Sequence, residues 1–304
     1  MRVPTGVRTK SERLESRENR WLKRFRAALK DRPGGQASPV GVEGPRLVEE
    51  GLRSGLGIEA LLVADSGERH LARFKELLPA GLRVLRTSDR LFASAAGTET
   101  PQGIALLVEP RSWRMEDLLG AAPLVVVLAG VQDPGNVGTI VRAAEGFGAS
   151  GVIASRGSAH PLAPKSVRAS AGSVLRVPTL VGASPENILA ELRRLGLRQY
   201  AASLSGDEIP QNVDFRVPCA IWIGSEGGGL PPEIVRGADA RIRIPTGAGV
   251  QSLNAAIAAA VLLYEAARQR GDAGRSEERR RGKEGEQPLR SPGSSTGVAV
   301  PRGR

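Results

Sequence analysis

The chain has 304 residues, 40% of them hydrophobic, and a formal net charge of +11. This length supports about two domains with separate cores, and its longest apolar runs are about half of the ~20 residues that cross a membrane. One cysteine and two histidines exclude an internal disulfide and a zinc cluster built from those residue types.

The two ends of the chain carry most of the excess positive charge. Residues 1–32 contain 11 basic and 4 acidic side chains, and residues 271–304 contain 8 and 5. Such ends favour a polyanionic partner, because Lys and Arg release counterions when they neutralise phosphates. Charged ends that only keep the chain in solution explain the composition equally well. The N-terminal residues lack the apolar segment of a secretory signal, which predicts a cytoplasmic protein.

The block over residues 1–32 is predicted to be one basic, amphipathic helix. Its apolar residues, from Leu14 through Phe25 to Leu29, recur at helical spacing. Residues 33–110 then alternate short strands with helices, which predicts a small α/β domain. The strands are Ile58–Ala64, Leu82–Leu85 and Ile104–Val108, and the helices are Arg46–Gly51, His70–Leu78 and Asp89–Ala95.

A polar linker over 111–122 leads into a second predicted α/β domain over 123–270. It opens with Leu124–Leu128, a continuous apolar run typical of a parallel strand that is covered on both faces. Further strands are predicted at Gly151–Ala154, Leu180–Val181, Gln199–Ala202, Ala220–Ile223 and Ile242–Ile244, with helices at Val137–Phe147 and from Ser252 to about Gln269. Core-forming residues almost disappear after that helix, which predicts a disordered tail over 271–304.

The sequence of Gly146–Gly151 matches the G-x-G-x-x-G pattern of dinucleotide-binding proteins. In those proteins a strand precedes the glycines and a helix follows them. Here a predicted helix ends at Gly148 and a strand follows, so glycine termination of a helix explains the pattern better. A nucleotide-dependent oxidoreductase is therefore a distant alternative.

The segment Gln132–Arg142 directly follows the buried strand, at the end where open α/β sheets bind ligands. Asn136 is predicted to cap the next helix. Arg142 lies about 9 Å further along that helix, and helical side chains lean toward the N-terminus, so its guanidinium can reach back toward the loop. A capped helix with one exposed arginine explains the same residues.

Two more strands end in loops that combine glycines with polar residues. Ile223–Gly227 places one acid among glycines, which let a backbone approach a ligand closely. Because this loop has no lysine, it suits an uncharged or cationic ligand better than a phosphate. In Ile244–Asn254, Ser252 is predicted to cap the last helix and Asn254 to lie in its first turn. Taken singly, Ile223–Gly227 is also explained as a glycine-rich turn before a helix. A capped helix explains Ser252 in the last loop but does not explain Asn254.

The order and spacing of these three loops resemble the SpoU/TrmH family of RNA ribose 2′-O-methyltransferases. The matching residues are Asn136 and Arg142 in the first loop, Ile223-Gly224-Ser225-Glu226-Gly227 in the second, and Ile244-Pro245 with Ser252-Leu253-Asn254 in the third. The N-terminal block is similar to the L30e-like substrate-binding domain of that family in two segments, Val42–Glu50 and Pro101–Gly103.

The resemblance implies an α/β fold whose C-terminal domain is a deep trefoil knot with a mostly parallel sheet, preceded by the smaller L30e-like domain. It implies a homodimer that binds S-adenosylmethionine in the knot and RNA as its substrate. The residues that it implies for the catalytic surface are Arg142, Asn136, Glu226, Ser252 and Asn254, with Arg142 acting within one subunit or across the dimer. Those that it implies for the cofactor are Gly224, Ser225, Ile244, Pro245, Thr246 and Leu253.

The implied reaction moves a methyl group from a sulfonium to a ribose 2′-oxygen, so no metal is needed to activate the leaving group. The ribose hydroxyl is a poor nucleophile until its proton leaves or its developing charge is stabilised. Arginine side chains suit the second role, because removing their proton costs about 9 kcal/mol at neutral pH. We therefore expect Arg142 to act as an electrostatic clamp and Glu226 to hold its loop or orient Asn254, while Ser252 and Asn254 fix the ribose or the cofactor.

Ribosomal RNA is the expected substrate, because a separate N-terminal domain of this kind is typical of rRNA-directed members of the family. A tRNA-directed enzyme is the first alternative, and an rRNA methyltransferase that protects the ribosome from an antibiotic is a narrower one. From a different class, the chain could be a catalytically silent RNA-binding protein. Such a protein has no need to keep all five residues of the implied catalytic surface.

Overall fold

The computed structural model describes residues 10–30, 38–247 and 252–284. Its strands form two sheets, one of five strands from the N-terminal part of the chain and one of six strands from the remainder. No helix among the described residues is long and apolar enough to span a membrane. The α/β class and the mostly parallel second sheet that the sequence predicts are confirmed.

The first sheet has the strand order β1-β4-β3-β5-β2. Its strands are β1 (Lys10–Arg13), β2 (Val40–Glu43), β3 (Ile58–Ala64), β4 (Arg83–Thr87) and β5 (Ile104–Val108), and its helices are α1 (Arg20–Lys30), α2 (Pro45–Arg53), α3 (Glu68–Arg73) and α4 (Asp89–Ala95). Helices α1 and α4 cover one face, and α2 and α3 lie on the other. The central strands β3 and β5 are therefore buried on both sides, as their continuous apolar sequences predict.

The N-terminal segment differs from the single predicted helix. Leu14 precedes α1, and Lys10–Arg13 pairs with β4 as an edge strand. A strand of four polar residues has no apolar alternation, so nothing in its pattern marks it. Helix α1 buries Phe25 and Leu29 against the first sheet, and the basic helix is therefore packed rather than separate.

The second sheet has the strand order β11-β9-β10-β6-β7-β8, and all of its paired strands run parallel. Its strands are β6 (Leu124–Ala129), β7 (Gly151–Ala154), β8 (Thr179–Val181), β9 (Arg198–Ala202), β10 (Cys219–Gly224) and β11 (Ala240–Ile242). Its helices are α5 (Pro134–Gly146), α6 (Pro164–Ala169), α7 (Pro185–Arg194), α8 (Pro232–Gly237) and α9 (Ala255–Glu284). Helices α5 and α9 pack on one face, and α7 and α8 pack on the other.

Several boundaries differ from those predicted. The helix predicted at His70–Leu78 ends as α3 at Arg73 and continues as a short 3₁₀ turn, because residues just before Pro79 disfavour a helix. Strand β11 ends at Ile242, where its pairing with β9 ends. Helices α6 and α7 were not predicted. Helix α5 ends at Gly146, φ is +74° at Gly148 and β7 follows, which confirms glycine termination of a helix.

The last helix extends well past its predicted end near Gln269. It continues to Glu284, so the first part of the segment predicted to be disordered is helical, and residues 285–304 lie outside the described residues. A lack of core-forming residues excludes packing but does not exclude a helix, since Arg, Glu and Lys are good helix formers. The knot predicted for loops 224–232 and 244–254 includes residues 248–251, which also lie outside the described residues, and its threading stays a prediction.

One arginine links the two sheet units. The Arg176 guanidinium donates to Glu50 of α2 at 2.6 Å and to both carboxylate oxygens of Glu145 of α5 at 2.6 and 3.0 Å. The guanidinium of Arg176 holds the pKa of Glu145 below its ordinary value. Gly172 has a φ of +92° and lies against Glu50, where an added β-carbon would come within 2.8 Å of the glutamate β-carbon. The two units are therefore in direct, charge-assisted contact.

A second arginine fastens α9 to the amino-terminal edge of the six-stranded sheet. Arg270 donates to four backbone carbonyls that precede β6 and β10. They belong to Ala122 at 2.5 Å, Phe215 at 2.8 Å, Pro123 at 3.1 Å and Val217 at 3.1 Å. The neighbouring Gln269 accepts from the Phe215 N–H and donates to the Val213 carbonyl. One turn of α9 thus binds backbone groups in the segments before β6 and β10, and the Pro123 carbonyl among them also accepts the Cys219 N–H of β10.

Candidate functional site

The carboxyl ends of β6 and β10 meet at the centre of the six-stranded sheet. The strand order reverses there, because β7 and β8 extend to one side of β6 while β9 and β11 extend to the other side of β10. Open parallel sheets bind ligands at such a switch point. The first two predicted loops leave the sheet at this point.

The loop after β10 is a tight, glycine-built turn. Ser225 and Gly229 exchange both backbone hydrogen bonds at 3.0 Å, and the Gly228 N–H donates to the Ser225 hydroxyl at 3.1 Å. A β-carbon on Gly224 would lie 2.2 Å from the Gly229 carbonyl carbon. Only glycine fits at residue 224, so the backbone itself forms this wall of the site.

Three of the predicted catalytic residues form one chain of hydrogen bonds. Asn136 donates its side-chain N–H to Glu226 at 2.6 Å, and its side-chain oxygen accepts from the amide of Asn254 at 3.0 Å. The Asn254 oxygen in turn accepts the backbone N–H groups of Ala256 and Ile257 at 2.9 and 3.3 Å. We call Asn136, Glu226 and Asn254 the amide–carboxylate cluster. It joins all three loops that the sequence singles out.

The prediction that Asn136 caps α5 is wrong. Asp133 is the cap, and its carboxylate accepts the Asn136 backbone N–H at 3.3 Å. Pro134 occupies the first turn, where a missing N–H costs nothing. A hydrogen bond from Lys165 to Asp133 at 2.6 Å holds the pKa of that carboxyl below its usual range. The Asn136 side chain is thereby left available for the cluster.

The prediction that Ser252 caps α9 is also wrong. The helix begins at Ala255, and Asn254 is the capping residue through its bonds to Ala256 and Ile257. Asn254 therefore has two roles in one side chain, because its oxygen starts the helix and its nitrogen binds Asn136. Ser252 lies exposed at the rim of the adjoining pocket.

The corrected cap gives a direct stability prediction. We expect Asn254→Ala to lower the stability of the protein by about 1 kcal/mol, because two N–H groups at the start of α9 lose their acceptor. Ser252→Ala is the matched control, with a melting temperature close to that of the wild type. Thermal unfolding followed by circular dichroism at a fixed protein concentration compares the two. Equal melting temperatures for the two variants would contradict the assignment of the cap.

A pocket that is open to solvent adjoins the amide–carboxylate cluster. Its lining includes five of the six predicted cofactor residues, together with the predicted catalytic residues Glu226 and Ser252. The five are Gly224, Ser225, Ile244, Thr246 and Leu253. The sixth, Pro245, is not among the lining residues. Glu226 is the single charged side chain among the described residues that line the pocket.

Sequence reasoning missed the loop after β9. Ser203 and Leu204 also line the pocket, and Leu204 is 68% exposed, which is unusual for a leucine. The signal was available, because β9 is a predicted strand whose carboxyl end lies at the same edge as those of β10 and β11. Loops after β9, β10 and β11 therefore line the pocket, and the loop after β6 is joined to it through the hydrogen bond from Asn136 to Glu226.

Arg142 makes no hydrogen bond to the amide–carboxylate cluster within the described part of the chain. It projects from α5 into solvent and makes no hydrogen bond or ion pair with any residue in the described part of the chain. Helix α5 packs beside α9, where Phe147 meets the edge of Tyr264 at a ring distance of 6.0 Å. The guanidinium is thus exposed and available to a group from outside this chain.

Helix α9 leaves an apolar stripe exposed next to α5. Ile257, Val261 and Tyr264 fall on one side of the helix at spacings of four and three residues and are 54%, 37% and 57% exposed. The stripe begins three residues after Asn254. Exposed apolar side chains grouped in this way are typical of interaction surfaces.

Comparison with known proteins agrees with this geometry. Residues 123–264 match the SpoU rRNA Methylase family, and residues 30–106 match the MRM3-like substrate binding domain. The 23S rRNA (guanosine(2553)-2′-O)-methyltransferase RlmP of Bacillus subtilis (strain 168) is 30% identical over 257 residues, which cover 83% of this chain and 98% of that protein. Among the described residues, no group of His, Cys, Asp and Glu could hold a metal ion.

Two solved structures are similar over most of their length. The SpoU methyltransferase AviRb from Streptomyces viridochromogenes, in complex with the cofactor AdoMet, has a TM-score of 0.75 and 28% identity, covering 83% of this chain and 98% of that chain. An rRNA methyltransferase from Sinorhizobium meliloti has a TM-score of 0.73 and 30% identity, covering 85% and 98%.

Proposed function

The chain belongs to the SpoU family of RNA methyltransferases, and on that premise we propose that it methylates a ribose 2′-hydroxyl of RNA with S-adenosylmethionine. The observation that carries the proposal is the amide–carboxylate cluster beside the glycine-walled pocket. Loops that are far apart in sequence supply one polar cluster next to one pocket. Such an arrangement can hold a donor molecule and an acceptor hydroxyl in a fixed orientation.

The pocket fits the cofactor in both shape and charge. Its tightest wall is the backbone at Gly224 and Gly229, so a ligand meets N–H and C=O groups there. The single carboxylate, that of Glu226, suits a ligand that carries a positive sulfonium. S-adenosylmethionine supplies a methyl group on a leaving group that is already activated. We assign Gly224, Ser225, Ile244, Thr246 and Leu253 to its binding, with Pro245 holding the turn after Ile244.

The residues of this chain orient the acceptor and stabilise charge. Glu226 accepts a hydrogen bond from Asn136, which fixes both loops and leaves the carboxylate in a holding role. Asn254 is held by Asn136 and by the start of α9, and it fixes the ribose with Ser252 at the pocket rim. Arg142 stabilises the negative charge that develops on the 2′-oxygen, while a phosphate or a water molecule accepts the hydroxyl proton.

We infer that the active form is a homodimer paired through α9. The stripe of Ile257, Val261 and Tyr264 is an apolar surface with an edge against α5. In a two-fold pairing each copy covers the other copy's stripe. Because the stripe starts next to Asn254, the covering surface comes close to the cluster. Arg142 of one subunit then serves the site of its partner.

The proposed substrate is ribosomal RNA in the cytoplasm. A relative of known activity acts on 23S rRNA, and the N-terminal unit matches a substrate-binding domain. We divide the chain accordingly into a substrate-binding domain that runs to residue 110 and includes β1 and α1, a linker at 111–122 and a methyltransferase domain at 123–270, followed by a tail. The C-terminal segment of the methyltransferase domain is proposed to be knotted.

Methylation of purified RNA tests the function. The chain is incubated with S-adenosylmethionine and deproteinised ribosomal RNA, with tRNA in parallel, and ribose methylation is mapped by resistance to alkaline cleavage. One discrete new 2′-O-methyl position in rRNA is the expected result. Methylation of tRNA alone would replace rRNA as the substrate. An absence of cofactor binding at millimolar concentration in calorimetry would instead indicate a catalytically silent RNA-binding protein.

Gly224→Ala should weaken cofactor binding by a factor of about 5–150, because overpacking against a rigid backbone costs about 1–3 kcal/mol. The added β-carbon would meet the Gly229 carbonyl carbon at 2.2 Å and open the turn. The matched control is Gly227→Ala in the same loop, where a β-carbon meets no atom within 4 Å. Isothermal titration with S-adenosylmethionine measures both. Equal dissociation constants for the two variants would show that the turn does not shape the site.

A further inference from the structure

A group of cations lies where the two sheet units meet. Arg26 and Lys30 of α1 both donate to the carbonyl of Ser94 at 3.2 Å, at the end of α4. A β-carbon on Gly97 would lie 2.3 Å from the Leu29 carbonyl oxygen and 3.5 Å from the guanidinium of Arg168. The end of α1, the segment after α4 and the Arg168 side chain of α6 therefore converge at one place.

Arg46 extends this group along α2. It lies three residues after Glu43, whose carboxylate accepts the Gly97 N–H at 2.7 Å. It also lies one helical turn before Glu50, which contacts Gly172, and Gly172 is four residues after Arg168. Helix α2 and the segment that begins at Arg168 therefore meet at Glu50 and Gly172. We call Arg26, Lys30, Arg46 and Arg168 the basic crease.

Most acidic residues near the basic crease already have hydrogen-bond partners of their own. Glu43 accepts bonds from Gly97 and Thr98, and Glu50 is paired with Arg176. Glu99 is exposed on the intervening loop and is a single opposing charge. Arg46 and Arg168 are exposed, and neither makes a hydrogen bond or ion pair within the described ranges. An unpaired guanidinium pair in such a place attracts an anion.

Helix α6 connects the basic crease to the candidate active site. Lys165, at the start of α6, donates a hydrogen bond to Asp133 in the loop after β6. Arg168 lies one turn later, about 4.5 Å along the helix axis. An extended anion in contact with Arg168 can therefore continue toward the loop that holds Asn136. A polymer of regularly spaced phosphates fits this path better than a small anion does.

We propose that the basic crease binds the sugar–phosphate backbone of the substrate RNA and directs the strand to the amide–carboxylate cluster. The inference rests on the proposed function for the identity of the polymer. Phosphate contacts position a nucleic acid without reading its sequence, so the crease contributes affinity and register, while other surfaces select the target nucleotide. The two units act together here, because neither alone contains both Arg46 and Arg168.

The salt dependence of RNA binding tests this proposal. Affinity of the full chain for protein-free 23S rRNA and for a fluorescein-labelled RNA hairpin is measured over a range of potassium chloride concentrations. Arg168→Gln and Arg46→Gln are each expected to weaken binding several-fold. Each should reduce the slope of log affinity against log salt by about 0.7–0.9, the value for one lost phosphate contact.

The matched control is Arg236→Gln. Arg236 is an exposed arginine of α8, on the opposite face of the second sheet, and it has no hydrogen bond or ion pair among the described residues. Its removal changes the net charge equally but should leave the slope unchanged. Calorimetry with S-adenosylmethionine should give the wild-type dissociation constant for all three variants, which also verifies their folding.

The outcomes separate this inference from the proposed function. Suppose that the wild type methylates RNA but the crease variants show the same slope of log affinity against log salt as the Arg236 variant. The basic crease then does not contact RNA, and the proposal is overturned. If the wild type does not methylate RNA but the crease variants show a smaller slope of log affinity against log salt, RNA binding by the basic crease is supported and the proposed function fails. In a methylating enzyme, the crease variants should raise KM for RNA and leave kcat near the wild-type value.

Discussion

Arg142→Ala should lower the rate of methyl transfer by about 10²–10³-fold, the usual loss when one group that stabilises developing negative charge is removed. Binding of S-adenosylmethionine should not change, because Arg142 is not among the residues that line the pocket. Single-turnover methylation of rRNA measures the rate, and calorimetry measures the cofactor affinity. Stability should also be unaffected, since the side chain is exposed and has no partner among the described residues.

The lysine variant tests the geometry of this role. Arg142→Lys keeps the charge but loses the planar fork that can bind an oxygen and a neighbouring phosphate together. We expect it to recover only a small part of the lost rate. A near-normal rate for the lysine variant would mean that a point charge suffices and would contradict the bidentate clamp.

Mixing two impaired variants, at a cofactor concentration too low to occupy the Gly224→Ala pocket, shows which subunit supplies Arg142. Arg142→Ala has an intact pocket, and Gly224→Ala has an intact Arg142. If the arginine acts across the dimer, half of the randomly mixed dimers contain one complete site, and about a quarter of the wild-type activity returns. If it acts within one subunit, mixed dimers contain no complete site. Failure of the mixture to regain activity, with exchange of subunits verified, would overturn the arrangement that we infer.

Arg270→Ala should be the most destabilising of the substitutions considered. Its guanidinium satisfies four backbone carbonyls, and hydrogen bonds to a charged group contribute about 1.5–3 kcal/mol each but do not add fully. A net loss of about 3 kcal/mol corresponds to a fall of roughly 6–12 °C in the melting temperature of a protein of this size. Differential scanning fluorimetry at one protein concentration measures it.

Arg216→Ala is the matched control for this measurement. Arg216 lies in the same segment before β10, but it forms only an exposed ion pair with Asp214 at 2.8 Å. Such surface pairs contribute at most about 1 kcal/mol. Arg270→Lys should fall between the two, because it keeps the charge but reaches fewer carbonyls. If Arg270→Ala and Arg216→Ala unfold at the same temperature, the hydrogen bonds from Arg270 to the backbone carbonyls at the amino-terminal edge of the sheet do not stabilise the protein.

Much of the second sheet could be predicted because its central strands are buried on both faces. Leu124–Leu128 is a continuous apolar run, and no other environment explains it as well. Strand β1 could not be predicted, because Lys10–Arg13 is polar throughout and pairs only at an edge. Helix α7 was missed although Ser184 caps it and Pro185 starts it, which are recognisable signals.

The candidate site was predicted in outline but not in its contacts. Loops after parallel strands share one edge, so Asn136, Glu226 and Asn254 were expected to converge, and they do. Which residue caps each helix could not be decided for α9, because Ser252 and Asn254 are both good caps and the choice depends on Asn136, from a distant loop. For α5 the position of Pro134 favoured Asp133, and that signal was overlooked.

Asn254 makes the last helix dependent on the middle of the chain. Its carbonyl oxygen begins α9, and its amide nitrogen is held by Asn136, which is itself held by Glu226. The amide–carboxylate cluster is therefore complete only when the segment that begins α9 has docked. Under the proposed function, we expect a nascent or truncated chain that lacks α9 to bind S-adenosylmethionine poorly and to transfer no methyl group.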